Sequence, residues 1–195
     1  MAKFPYLCFS VVLLILDQVS KWAITERVIR PMNPEALGDS FGFIEWYSHA
    51  SEKLPFASME ILPFFNIVMV WNQGISFGMF QNSNEYGPLI LSALSLVIMM
   101  CFVVWMFRSE SKLLNVGIAF VIAGALGNII DRMRFGAVID FLDFHIAGYH
   151  WPAFNVADSC IFIGVLLLIL QSLFFETKKK SATYNDAYET DTEKT

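Results

Sequence analysis

Apolar residues fall into four long runs separated by mixed or polar stretches. The runs are Phe4–Ile24, Pro88–Phe107, Leu113–Ile130 and Ala153–Phe175. A helix needs about 20 mostly apolar residues to cross a hydrocarbon core of about 30 Å, and each run approaches that length. The pattern predicts a mainly α membrane protein, one domain over 1–175 with helices over about 4–24, 88–107, 113–130 and 153–175. The third run is the shortest. Its Gly117, Ala119, Ala123, Gly124, Ala125 and Gly127 allow close approach of a neighbouring helix, which predicts a central place in the bundle.

The stretch between the first two runs, about 25–87, is too long to be a bare connector. Arg30–Ser58 mixes Pro, Gly, Ser, acids and aromatics and favours no element. Ile61–Trp71 (ILPFFNIVMVW) is rich in β-branched and aromatic residues and reads as a strand. Asn72-Gln73-Gly74 reads as a turn, and ISFGMFQN, residues 75–82, as a short amphipathic segment along the membrane surface. In RFGAVIDFLDFHI, residues 134–146, Val138, Ile139, Phe141, Leu142 and Phe144 make the chain strand-like. The expected product is a small extracytoplasmic β-rich cradle on four transmembrane helices.

Composition strengthens the membrane reading. The chain is 56% hydrophobic and 16% charged, whereas a soluble domain carries about 25% charged residues. The first run resembles a secretory signal, but it contains Asp17 and Lys21 and no small-residue cleavage site follows it, so it is expected to stay as a helix. Lys3, Arg108, Lys112 and Lys178–Lys180 place both termini and the short turn after the second helix in the cytoplasm. The polar segment 176–195 is expected to be a disordered cytoplasmic tail, and no nucleic-acid partner is implied. Cys8, Cys101 and Cys160 lie within apolar runs and read as small buried hydrophobes. No haem, zinc or flavin motif is present, so no metal or cofactor is expected and chemistry must come from side chains.

Candidate chemistry concentrates between the third and fourth runs. Gly124–Asp158 carries Asp131, Asp140, Asp143 and Asp158, with Asn128, Asn155, Arg132 and Arg134. Ionisable groups beside a bilayer core cost about 2.5–3.5 kcal/mol each on the insertion scale, so they call for a function. Asn155 and Asp158 share a helix face by their i, i+3 spacing, and Asn128 and Arg132 by i, i+4. Side chains alternate along a strand, so Asp140 and Asp143 point opposite ways. With the third and fourth helices side by side, Asp140 can meet Asp158. Two carboxylates in hydrogen-bond reach share one proton, which is the aspartic-protease device. On residue chemistry alone a proton or ion relay stands level with it, although four helices without an inverted repeat argue against a transporter. A scaffold for lipid-modified proteins is a third reading. Asp17 and Lys21, i, i+4 in the first helix, read as an ion pair tying that helix to the active layer. His49, His145 and His150 read as solvated or interfacial, and Trp46, Trp71, Trp105 and Trp151 as interfacial anchors.

Four segments, in order, resemble the motifs of the bacterial lipoprotein (type II) signal peptidases. They are LDQVSKW at Leu16–Trp22, WNQGISFG at Trp71–Gly78, GALGNIIDRMRFGAVIDF at Gly124–Phe141 and FNVAD at Phe154–Asp158. The resemblance implies a four-helix fold with a β cradle and an aspartic endopeptidase with Asp140 and Asp158 as catalytic dyad. It implies Asn72, Asn128, Arg132 and Asn155 as substrate-positioning residues and Asp17, Lys21 and Asp131 as structural support. The implied substrates are diacylglyceryl-modified prolipoproteins, cut just before the lipid-bearing cysteine at the outer face of the bacterial inner membrane. A monomer among membrane lipids is expected. The loop over Asn33–Ser58 is longer than is usual for the family, and the acidic C-terminal tail lies outside the match.

Overall fold

A computed structural model describes residues 2–32, 38–48, 53–74 and 86–173. The expected tail over 176–195, the surface segment 75–82 and His49 lie outside the described residues. Among the described residues, four helices are long and apolar enough to cross a membrane. We label the helices α1 (Phe4–Trp22), α2 (Phe43–Ser48), α3 (Gly87–Arg108), α4 (Lys112–Phe135) and α5 (Val156–Leu173), and the strands β1 (Ser58–Leu62), β2 (Phe65–Asn72), β3 (Val138–Ile146) and β4 (Tyr149–His150).

The helix ends correct three sequence-based boundaries. The first helix does not stop at Ile24: beyond Trp22 it widens into a π-helical stretch, Ala23–Ile29, and closes with a 3₁₀ turn at Arg30–Met32. Polar residues interrupt its apolar run without interrupting its backbone bonding. Glu26 pairs with Arg30 at 2.6 Å and also accepts the Phe41 N–H. The region after Ile24 is therefore helical before it becomes β. The third helix runs past Ile130 to Phe135, and its stop signal is Gly136, in the left-handed conformation (φ 68°), whose N–H bonds the Arg132 carbonyl. Asp131, Arg132 and Arg134 are thus helical rather than in a loop. The fourth helix begins at Val156 rather than Ala153, because Asn155 is its N-cap: Asn155 Oδ1 accepts the Asp158 N–H at 2.9 Å and Asp158 Oδ2 accepts the Asn155 N–H at 3.3 Å. This reciprocal pair is a capping box.

α4 is central, packed against α1, α3 and α5. Its glycines permit this: a Cβ at Gly124 would lie 2.2 Å from the Ala157 carbonyl oxygen, and one at Gly127 would lie 2.4 Å from Asp17 Oδ2. At one end of the bundle the Lys3 ammonium donates to the Ser109 carbonyl, so the start of α1 and the α3–α4 turn meet there. The sheet caps the other end.

The sheet is antiparallel in the order β1-β2-β3-β4. The single strand read over Ile61–Trp71 is in fact a hairpin, with Pro63-Phe64 as its turn. Proline has no N–H for a ladder, so it marks the corner rather than the interior. A second apolar core lies beneath the sheet, where Ile29, Trp46, Met69, Phe135, Ile139 and Phe141 pack together. Trp46 is fully buried there, not an interfacial anchor, and Arg134 lies over its ring at 4.2 Å. Trp105 and Trp151 are exposed, and so are Cys8 and Cys101; only Cys160 is buried.

Candidate active site

Residues from α1, α4, α5, β2 and β3 converge where the sheet meets the bundle. β2 and β3 pair with Asn72 opposite Val138 and Val70 opposite Asp140. Asp140 is 1% exposed and both its oxygens are held by amides. Asn72 Nδ2 donates to Oδ2 at 2.9 Å and Asn155 Nδ2 to Oδ1 at 2.7 Å. The turn expected at Asn72 aims that donor: Asn72 Oδ1 accepts the Gly74 N–H at 2.7 Å.

Asp158 sits one turn into α5, half-buried, with Oδ1 accepting from Asn128 Nδ2 at 2.8 Å. Asn128 Oδ1 in turn accepts from Asn155 Nδ2 at 3.3 Å. Asn155 and Asn128 therefore link the two carboxylates through neutral amides. The Asp140 carboxyl is pushed up to about 7, first by burial and then by the Asp158 charge, while the Asn72 and Asn155 hydrogen bonds and the Lys21 charge oppose the rise. Near neutral pH the Asp140 carboxyl is therefore partly protonated.

A second polar layer lies just below. Lys21 Nζ bridges Asp17 and Asp131, 2.8 Å from each, and all three side chains are buried. Gln18 Nε2 donates to both carboxylates at 3.1 Å. The sequence reading passed over Gln18, whose signal was a second polar residue in the same turn of an apolar helix. Lys21 Nζ is also 3.5 Å from Asn128 Oδ1, which joins the layers.

Arg132 points toward the same region. Its guanidinium lies within electrostatic reach of Asp158, Asp131 and Asp140, and its buried Nε has no hydrogen-bond partner among the described residues. Beside Asp158 opens a groove of about 410 Å³, lined also by Trp151, Phe154, Ser159, Phe162 and Ile163.

Asp143 does not join this group. It accepts from Asn66 Nδ2 at 2.9 Å and pairs with His150 Nδ1 at 2.8 Å. Burial raises this carboxyl, but the His150 and Asn66 hydrogen bonds outweigh it and hold the group below the usual range. His145 stacks on His150, with ring centroids 4.7 Å apart. These two histidines are thus partnered rather than simply solvated. Their partner was invisible because β4 pairs back onto β3 through a turn at Ala147-Gly148.

The arrangement sets two carboxylates, one of them raised to about 7, beside an apolar groove at the end of a membrane bundle, a combination able to exchange protons with water. The family model for signal peptidase (SPase) II matches residues 9–174. The lipoprotein signal peptidase of Coxiella burnetii is 33% identical over 177 residues, 90% of this chain and 93% of that protein. That of Alteromonas mediterranea is 44% identical over 128 residues, 65% of this chain and 70% of that protein. A solved structure of a bacterial membrane enzyme superposes with a TM-score of 0.62 at 30% identity, covering 90% of this chain and 91% of the other.

Proposed function

The chain belongs to the signal peptidase II family, and from that premise we propose that Asp140 and Asp158 are the dyad of a membrane aspartic endopeptidase acting on prolipoproteins. The observation that carries the dyad is the pairing of a buried, amide-held Asp140, its carboxyl pushed up to about 7, with a half-buried Asp158 linked to it through Asn155 and Asn128. The substrate is the peptide bond just before a diacylglyceryl-cysteine.

In this reading Asp140 carries the proton and Asp158 acts as the base. Asp158 takes a proton from water as the water oxygen bonds to the scissile carbonyl carbon. Asp140 gives its proton to the carbonyl oxygen, forming a tetrahedral diol. Collapse of the diol breaks the C–N bond; the Asp158 proton goes to the leaving amine and a diol proton returns to Asp140. Asn72, Asn128 and Asn155 fix the carboxylate orientations through the bonds described above. Arg132 Nε, without a hydrogen-bond partner among the described residues, can donate a charge-assisted hydrogen bond to a substrate carbonyl. The groove beside Asp158 offers an apolar wall to the lipid-bearing end of the substrate.

Family membership and four apolar helices make this a multi-pass inner-membrane protein. We assign the sheet end to the extracytoplasmic face and both termini to the cytoplasm, on the distribution of basic residues. The test is cleavage of a diacylglyceryl prolipoprotein peptide by the purified chain in lipid, with the cut mapped by mass spectrometry. A cut just before the lipidated cysteine is expected, and an intact peptide would overturn the reading. Proton-gradient-dependent transport by the same preparation without cleavage would favour a relay.

A further inference from the structure

The buried layer below the dyad touches the chain immediately before each dyad aspartate. Asp17 Oδ1 accepts the Ala157 N–H at 2.9 Å, and Ala157 precedes Asp158. Asp131 Oδ2 accepts the Ile139 N–H at 3.2 Å, and Ile139 precedes Asp140. The two accepting carboxylates are themselves fixed relative to one another. Lys21 Nζ lies 2.8 Å from each, and Gln18 Nε2 spans both at 3.1 Å. Ala157, Ile139, Asp17, Asp131 and Lys21 are all at most 1% exposed, so the frame sits in a close-packed interior with little room to relax.

We propose that Asp17, Gln18, Lys21 and Asp131 are positioning residues that set the separation of Asp140 and Asp158, each carboxylate gripping the backbone of one dyad strand or helix. This rests on the dyad reading above and adds a role beyond holding helices together. An ordinary interhelical ion pair ends on side chains; here the ion pairs end on the two peptide N–H groups that decide where the catalytic side chains stand. Asp158 is on α5 and Asp140 on β3, and the Asn155 side chain and the pairing of Leu142 with Phe154 also join β3 to the start of α5. The frame reaches both from α1 and α4, and Lys21 also approaches Asn128, the amide that holds Asp158.

A displacement of about 1 Å can cost about 10²-fold in rate. Asp17→Ala removes the grip on Ala157, whereas Asp17→Asn keeps an oxygen able to accept that N–H. The measurement is kcat, KM and the pH profile of lipopeptide cleavage, normalised to folded protein, beside the thermal midpoint. Asp17→Ala should lose about 10²-fold in kcat with KM within about threefold. The alkaline limb, set by Asp140 with Asp158, Lys21 and Arg132 facing it, should move to lower pH as the carboxylates part. Asp17→Asn should recover most of kcat and restore the limb. Gln18→Leu leaves both Lys21 ion pairs in place and supplies the same readouts in a less disturbed chain, with a smaller loss of the same pattern. A lowered thermal midpoint with kcat and limb unchanged in Asp17→Ala and Gln18→Leu would overturn the proposal and leave only a structural role. Absence of cleavage by the unmodified chain would instead overturn the dyad reading on which it rests.

Discussion

Two carboxylate pairs lie in adjacent layers at the sheet end of the bundle, and they differ in what stands between them. Asp17 and Asp131 share the Lys21 ammonium; among the described residues the hydrogen bonds linking Asp140 and Asp158 come from the neutral amides of Asn128 and Asn155, with the Arg132 charge nearby. A cation between two buried carboxylates offsets their mutual repulsion, and removing it from such a group is costly. Amides hold a carboxylate without cancelling its charge, so burial and the Asp158 charge still push the Asp140 carboxyl up to about 7.

This contrast can be broken from either side. Asp140→Asn or Asp158→Asn should lower lipopeptide cleavage by about 10³-fold or more while the chain stays folded in the membrane, because the proton exchange is lost. Full activity in a processing assay after either change would remove the distinction between the layers. In the lower layer, Lys21→Met leaves two buried carboxylates facing each other and should cost about 3–5 kcal/mol of stability, read as a lower unfolding midpoint in detergent.

The pH dependence separates the pairs more gently. The folded-state pKa of Asp140 is raised from 3.8 to about 7, so native stability linked to this group is fully present below about 4 and declines as pH rises through about 7. If Asp140 is the proton donor, the cleavage rate should fall over the same upper limb, and Asp140→Asn should flatten the stability slope in thermal melts run from pH 5 to 8. The smallest effect belongs to the third carboxylate. Asp143 serves a half-exposed pair with His150 at the sheet edge, and exposed pairs contribute about 0–1 kcal/mol. Asp143→Asn should change cleavage by less than about threefold, and a loss matching that of Asp140→Asn would show that the two strand faces are not functionally distinct.

Much of this was legible in the chain, and the gaps have physical causes. Apolar run length gave the four spans, because the bilayer imposes a length whatever the packing. It misplaced three helix boundaries, because helices end where backbone bonding ends. Those signals were Gly136 after α4, the Asn155–Asp158 capping box before α5, and Glu26 with Arg30, whose pairing carries the first helix past its apolar run. Strand alternation separated Asp140 from Asp143 without coordinates. It did not reveal the Pro63-Phe64 corner, since a proline between two apolar stretches reads as strand unless its missing donor is counted.

The sequence by itself determined which chemical groups enter the membrane and, through their local spacing, which share a helix or strand face. It left open which carboxylate receives a cation and which receives an amide. Asp17 and Ala157 are 140 positions apart, Gln18 and Asp131 are 113 apart, and Asn72 and Asp140 are 68 apart. No local periodicity encodes contacts at that range. They exist because the glycines of α4 let α1 and α5 close onto it, and because the β2–β3 register sets Asn72 against Asp140. Only that packing sorted four aspartates into a pair bridged by Lys21 and a pair linked by amides, with Asp143 set apart at the sheet edge.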